Sequence, residues 1–286
     1  GLLPVLIHVL SISLIISQDY PKKKFYKRGK HAAKIMGRDD RKYGDHSGNR
    51  VLCRFYNHGS IGDQSSSFSG VYPIGSGHSY IWEFSPVVAA SVVDTNGFRR
   101  HIVSDGISGL VDASPEGTPW SFEPLSGYSN PNQENLAMSD NENSWPNSWP
   151  NRTEDWNGEW NGQYGKYVRA DQESYFVVDD RYNSEFEFWP DQNDIPEDPT
   201  VSPDEHRRGL GIEMEARGYQ WNHPAAEDII IVTYWITNVG SSVLDSVVFG
   251  MYGDADIGGA SSFSDDDAWF DTENDMVYQW DHDNWS

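Results

Sequence analysis

The stretch that most constrains the fold runs from Glu227 to Gly259. Ile229, Ile231, Thr233, Trp235 and Thr237 alternate with Ile230, Val232, Tyr234, Ile236 and Asn238. β-Branched and aromatic residues at a period of two fit a pleated, half-buried strand and do not fit a helical period. Val239-Gly240-Ser241-Ser242 interrupts the run with turn chemistry, and Val243 to Tyr252 resumes it. The expectation is an antiparallel hairpin made of these two arms. The second arm ends in Asp254-Ala255-Asp256-Ile257-Gly258-Gly259, which sets carboxylates and glycines where a strand gives way to a loop.

The same grammar recurs along the chain. Val51 to Tyr56, Gly70 to Tyr72, Ser79 to Phe84, Pro86 to Val93 and Phe98 to Val103 read as strands, with Asn96-Gly97 as a hairpin turn before the last of them. Glu173 to Asp179, Ser184 to Trp189, Leu210 to Tyr219 and Met276 to Trp280 follow. Aromatic residues supply 14% of the 286 residues while hydrophobic residues of all kinds reach only 37%, so the apolar content sits in large flat side chains that favour sheets. A chain of this length makes one large or two modest domains. The predicted fold class is all-β, a mainly antiparallel β-sandwich with long irregular loops over residues 51–286, because two facing sheets bury such strands without helices.

Two segments precede it. Residues 2–16, LLPVLIHVLSISLII, form an apolar run too short to span a bilayer, followed at once by Ser17-Gln18. This matches the hydrophobic core of a signal peptide covering residues 1–17 in part, with no membrane span left in the mature chain; a membrane anchor or a buried strand is the alternative. Residues 18–50 are rich in Lys and Arg without a sustained period, as in a basic flexible arm. The missing basic leader and the abrupt stop at Ser286 suggest a piece cut from a longer product, truncated at its C-terminus.

Charge separates the arm from the body. Of 21 basic and 44 acidic residues, the first fifty hold 11 and four, which leaves ten basic against forty acidic in residues 51–286. A body near −30 repels nucleic acid and attracts cations, although acidity also serves simply to keep an exported protein soluble. For the arm, the partners in view are that acidic body or a polyanionic surface. The one cysteine, Cys53, has no partner for an internal disulfide and fits a small buried hydrophobe; a nucleophile would need activation, for which His58 is the local candidate.

Asp112 to Gly165 abandons periodicity for Pro, Ser, Asn, Gly and Trp, with Ser144-Trp145-Pro146/Ser148-Trp149-Pro150 and Trp156-Asn157-Gly158/Trp160-Asn161-Gly162 as small duplications. Long loops in compact domains are usually functional or disordered. Trp145, Trp149, Trp156 and Trp160 admit two roles: rings pinned to the body as a lid over an edge, or platforms that stack on sugar rings.

Signatures of zinc proteases, Gly-x-Ser-x-Gly hydrolases, phosphate-binding loops and dinucleotide folds are missing, and the nine His are scattered. A glycosidase's paired carboxylates are defined by separation in space, which no sequence displays. Asp254 onward fits a calcium loop at several positions: Asp254 at position 1, Asp256 at 3, Gly259 at the glycine position, the Ala260 carbonyl, Ser262, and Asp265 at the last position. Gly258 at position 5 offers no side-chain oxygen, and Asp265 replaces a bidentate Glu. The flanks read as strands, so an Asp-rich surface turn is the competing interpretation.

Gly70-Val71-Tyr72-Pro73-Ile74-Gly75-Ser76-Gly77 with Ser79-Tyr80-Ile81, then Ser144-Trp145-Pro146, Gly209-Leu210-Gly211-Ile212-Glu213, Tyr219-Gln220-Trp221, Thr237-Asn238, Gly250 to Gly259, Asp265-Asp266-Asp267 and Phe270-Asp271 resemble an uncharacterised group of large exported bacterial β-rich proteins. Members of that group often carry a C-terminal type IX secretion sorting domain. The resemblance covers about residues 51–283 and implies the N-terminal portion of a cell-surface or released protein with β-sandwich modules; it implies no activity. The functional expectation is a secreted or cell-surface structural or adhesive module, calcium-stabilised and non-enzymatic. The alternative is a carbohydrate-binding or carbohydrate-processing extracellular protein, whose partner would be an extracellular polysaccharide or a cell-surface component.

Overall fold

The computed structural model describes residues 40–62, 68–94, 96–108, 113, 115, 120–186, 208–240, 242–257, 264 and 266–281. The strands are β1 (Tyr43–His46), β2 (Cys53–Tyr56), β3 (Ile81–Val93), β4 (Arg99–Asp105), β5 (Glu123–Pro124), β6 (Ala137–Met138), β7 (Gln172–Asp179), β8 (Ile212–Gln220), β9 (Ile231–Asn238), β10 (Asp245–Ala255), β11 (Asp266–Asp271) and β12 (Met276–Asp281). The fold is all-β and antiparallel throughout its ladders. No helix among the described residues is long and apolar enough to cross a membrane.

Two sheets form the sandwich. In one, β8 lies between β7 and β9, and the short β5 and β6 pair with β7. In the other, β3 lies between β10 and β4, and the β1–β2 pair joins it through Ile61, which bridges Phe55 and Phe84. Alternation decides what meets between them. Cys53 and Phe55 of β2, Val88, Ala90 and Val92 of β3 and Ile102 of β4 share one core cluster with Phe176 and Val178 of β7 and Ile212, Met214 and Ala216 of β8. Each large side chain so buried contributes about 1.5–3 kcal/mol. Cys53 belongs to this core, and burial pushes its thiol up to about 12, as suits an inert small hydrophobe.

The expected hairpin of the two arms is not formed. β9 pairs with β8, Ile212 opposite Asn238 and Tyr219 opposite Ile231, whereas β10 pairs with β3, Phe249 opposite Val88. The link between them is a corner from one layer to the other. Val239 and Gly240 both donate their N–H to the Gly211 carbonyl, at 2.8 and 3.0 Å, which holds the end of β9 against the start of β8. Tyr234 and Phe249 then meet across the core with ring centroids 5.4 Å apart. Both arms face one core from opposite layers, and their alternation is the same as a hairpin's would be.

Three smaller expectations change. Ser79–Phe84 and Pro86–Val93 are one strand: Pro86 sits where β4 has ended, and its carbonyl accepts the Gly106 N–H at 2.9 Å, so the missing proline donor interrupts no ladder. The described part of the predicted Ser184–Trp189 strand, Ser184 to Phe186, is turn. Residues 40–50, expected within the basic arm, carry β1 and its turn and belong to the sandwich; residues 1–39, with the expected signal segment and the rest of the expected arm, lie outside the described residues.

Polar side chains dock β1 and its turn. Gln172 Oε1 accepts the N–H groups of Ser47 and Gly48, and Gln220 Oε1 accepts Gly48 N–H as well. Gln220 Nε2 donates to Asn49 Oδ1 and the Val51 carbonyl, while Asn49 Nδ2 donates to the carbonyls of Ala226 and Ile229. His46 is fully buried, packs its ring at a tilt against Phe55 with centroids 4.4 Å apart, and meets Ser174 Oγ through Nε2 at 2.8 Å. A Cβ at Gly218 would lie 2.6 Å from that nitrogen, so β8 carries glycine where the imidazole needs room.

Burial pushes the His46 pKa from 6.5 down to about 3, with a hydrogen bond from Gln220 acting the other way. Below pH 6.5 the unfolded chain therefore takes up a proton that the folded one refuses. The stability held above pH 6.5 is lost as pH falls toward 3, with a slope of up to about 1.4 kcal/mol per pH unit. Urea melts of wild type and His46→Gln at about pH 7 and about pH 5 should show a smaller acid loss in the variant; equal losses would place the imidazole in contact with solvent.

Candidate functional site

Strand β7 positions the site. All eight of its residues are buried, because both of its faces are covered. Phe176 and Val178 face the sandwich core, whereas Tyr175 and Val177 join a second cluster with Leu125, Tyr128, Ala137, Trp149 and Trp160. The aperiodic Trp-rich segment is thus a third layer laid on the outer face of the β7 sheet.

The four tryptophans build that layer. Trp149 and Trp160 are each 2% exposed and meet edge to face at 6.0 Å, with Trp145 at 5.5 Å from Trp160. The indole N–H groups of these three are used: Trp145 donates to the Met138 carbonyl, Trp149 to the Glu159 carbonyl, and Trp160 to Glu173 Oε2 at 2.7 Å. Trp156 packs against the same cluster and carries the Arg152 guanidinium over its ring at 4.2 Å. Of the two roles open to these residues, rings pinned to the body describe the geometry, over a face rather than an edge. Trp149 and Trp160 have no free face to offer a sugar.

Glu173 ties this layer to its surroundings. Its carboxylate is 2% exposed, and beside the Trp160 indole it accepts the backbone N–H groups of Arg169 and Ala170, at 2.6 and 3.1 Å. A buried carboxylate with three N–H donors fixes the loop that follows the tryptophans. That loop reverses sharply at Gly162, where a Cβ would lie 2.5 Å from the carbonyls of both Gly165 and Tyr167.

The reversal opens a cleft of about 190 Å³ lined by Gln163, Tyr164, Tyr167, Arg169, Glu173, Tyr219, Trp221, Ile231 and Thr233. Tyr164 and Tyr167 stand 62% and 48% exposed. Trp221 lies nearly parallel to Tyr219, at 14° and 5.7 Å, and its indole N–H donates to the Arg169 carbonyl. Tyr219 is buried and donates its hydroxyl to Gln163 Oε1 at 2.8 Å; burial raises its pKa. The Arg169 guanidinium lies over the rings of Tyr164 and Tyr167, at 4.8 and 5.1 Å, and donates to the Tyr167 hydroxyl. The lining therefore combines open aromatic faces, an amide and hydroxyls with one engaged cation and one capped carboxylate.

The sequence reading did not single out Tyr164 or Tyr167. A signal was present, since both follow the second Trp duplication in Gly162-Gln163-Tyr164-Gly165-Lys166-Tyr167, where closely spaced glycines mark a reversal. Tyr219-Gln220-Trp221 was visible, but only as part of a resemblance.

Of the expected calcium ligands, Ala260, Ser262 and Asp265 lie outside the described residues. Asp254 stands within β10, opposite Glu83 of β3, and accepts the Tyr252 hydroxyl at 2.9 Å. Asp256 is 6% exposed with its Oδ1 buried and unpartnered, and burial, then the charge of Asp254, raises its pKa. Asp266, the first residue of β11, accepts the Ile257 N–H at 3.1 Å. Among the described residues no three His, Cys, Asp or Glu side chains converge to hold an ion.

No family model matches the chain, and neither a curated protein nor a solved structure matches it.

Proposed function

We propose that this chain is a non-enzymatic extracellular β-sandwich module that binds a neutral saccharide in the cleft beside Tyr164, Tyr167 and Trp221. The observation that carries this reading is the set of open aromatic faces around a site whose charges are already engaged. Sugar rings present apolar C–H faces that lie on such aromatics, and their hydroxyls find partners in Gln163, Thr233 and the Tyr167 hydroxyl. Glycoside cleavage needs two carboxyl groups about 5–9.5 Å apart. The carboxylate in the cleft lining is Glu173, held by three N–H donors, which favours recognition over processing. The saccharide contacts expected at Trp145, Trp149, Trp156 and Trp160 pass to other residues, and those four become the support.

A glycan array probed with the full chain should retain it on one or more neutral glycans. Trp221→Ala should weaken that binding about tenfold or more, since truncating an aromatic anchor costs upward of about 1.4 kcal/mol. An array without any retained glycan, or Trp221→Ala and Tyr164→Ala binding as wild type does, would contradict the assignment.

A second reading, calcium stabilisation, is favoured by the buried and unpartnered Asp256 oxygen at the start of the expected loop. An ion there would be held by Asp256 and Asp254 with donors from the loop that follows. Calcium at about 100 times its Kd would add roughly 2.7 kcal/mol to stability. Thermal melts with chelator, with calcium and with sodium at matched ionic strength should show a calcium-specific gain that Asp256→Asn lacks. Equal gains from the two salts would reduce the effect to charge screening.

A further inference from the structure

We propose that the site continues beyond the cleft along β9, with Trp235 as a second stacking position, so that the ligand is an extended internal stretch of a polysaccharide rather than a single terminal sugar. This rests on the saccharide reading of the cleft. In β9, Val232, Tyr234 and Ile236 pack against the core, which turns Ile231, Thr233 and Trp235 together to the outer face. Ile231 and Thr233 both line the cleft, and Trp235 is the next outward residue, 42% exposed. At about 3.4 Å per residue it lies roughly 7 Å past Thr233 and about 14 Å past Ile231. The row is one continuous strip leading out of the cleft.

Its flanks agree. Among the described residues β9 is the outermost strand of its sheet. On the inner side Tyr219, Arg217 and Glu215 of β8 stand opposite Ile231, Thr233 and Trp235. Arg217 is turned away, its guanidinium 3.8 Å from the Tyr175 ring centre and donating to the Asn161 carbonyl, so its charge is spent beneath the tryptophan layer.

Size separates the candidate occupants. At about 190 Å³ the cleft is smaller than the roughly 300–1,000 Å³ of drug-sized sites, and it suits a single ring. A strip one strand wide falls short of the about 800 Å² per partner that a stable protein interface uses. A narrow chain of rings, one in the cleft and others along β9 to Trp235, matches both dimensions.

The test is calorimetric titration of neutral β-1,4-linked gluco-, xylo- and manno-oligosaccharides, from disaccharide to hexasaccharide, into the full chain. Wild type should bind a hexasaccharide about tenfold or more tightly than its disaccharide, as a second aromatic contact would provide. Trp235→Ala should flatten that rise and leave the disaccharide affinity unchanged, Trp235→Tyr should restore it, and Trp221→Ala should weaken every length. Circular dichroism and melting of both Trp235 variants establish that they fold. Equal wild-type affinity for all lengths, or a length dependence that survives in Trp235→Ala, overturns the extended site while the cleft reading stands. If no oligosaccharide binds and the parent polysaccharides do not retard the chain in affinity gels, the cleft reading fails and this inference with it.

Discussion

Strand β7 is the constraint on which the rest of the structure depends. Antiparallel sheets of this kind usually turn one face to water, but Tyr175 and Val177 on the outer side of β7 are as deeply buried as Phe176 and Val178 on the inner side. Two apolar faces need two covers. The second sheet supplies one, and the tryptophan segment supplies the other. Glu173, on the same strand, closes the second cover by accepting from the Trp160 indole and from the backbone at Arg169 and Ala170. Removing the Trp160 indole, which donates to Oε2 while both backbone N–H groups share Oε1, would leave a buried carboxylate oxygen without that partner, at a cost of about 1–3 kcal/mol.

That arrangement explains where an aromatic binding surface can exist. The tryptophans are consumed in covering β7, and the cover ends at Gly162, short of β9. Past its rim Ile231, Thr233 and Trp235 on the outer side of β9 are exposed, and the loop carrying Tyr164 and Tyr167 is held there by the same carboxylate that pins Trp160. Structural and exposed aromatics are therefore adjacent and mechanically joined. A rigid mount suits stacking, because a ring already held in place loses little freedom when a ligand arrives.

Much of the fold was legible in the sequence. The period-two runs at Leu210–Tyr219 and Ile229–Asn238 and the Asn96-Gly97 turn point to β8, β9 and the β3–β4 hairpin that the structure contains. The partner of each strand was not legible where two layers offer the same alternation. Val232, Tyr234 and Phe249 would face one core whether β9 and β10 were neighbours or stood on opposite sheets. Nor was β1, because it and the turn after it are fastened by Gln172 at the Asp45 carbonyl and the Ser47 and Gly48 N–H groups, and by Gln220 at Gly48 and Asn49, and hydrophobic periodicity has no register of buried polar contacts. For the site, residue types could be read but directions could not. A tryptophan in an aperiodic loop carries no pattern to say whether its ring is buried, so Trp145, Trp149, Trp156 and Trp160 read equally well as stacking platforms or as a pinned cover, while the exposed Tyr164 and Tyr167 drew no notice.

The central claim is that the tryptophan segment is an integral layer over β7, as firmly placed as the strand beneath it. Hydrogen exchange of the indole N–H groups, followed by NMR alongside the backbone amides, tests this most directly. The indoles of Trp149 and Trp160 should exchange as slowly as the amides of β7, through the same global opening, while Trp269, 63% exposed on β11, exchanges fast. If Trp149 and Trp160 exchange as fast as Trp269 while β7 stays protected, the segment is a loose flap and the mount for the aromatic cleft does not exist.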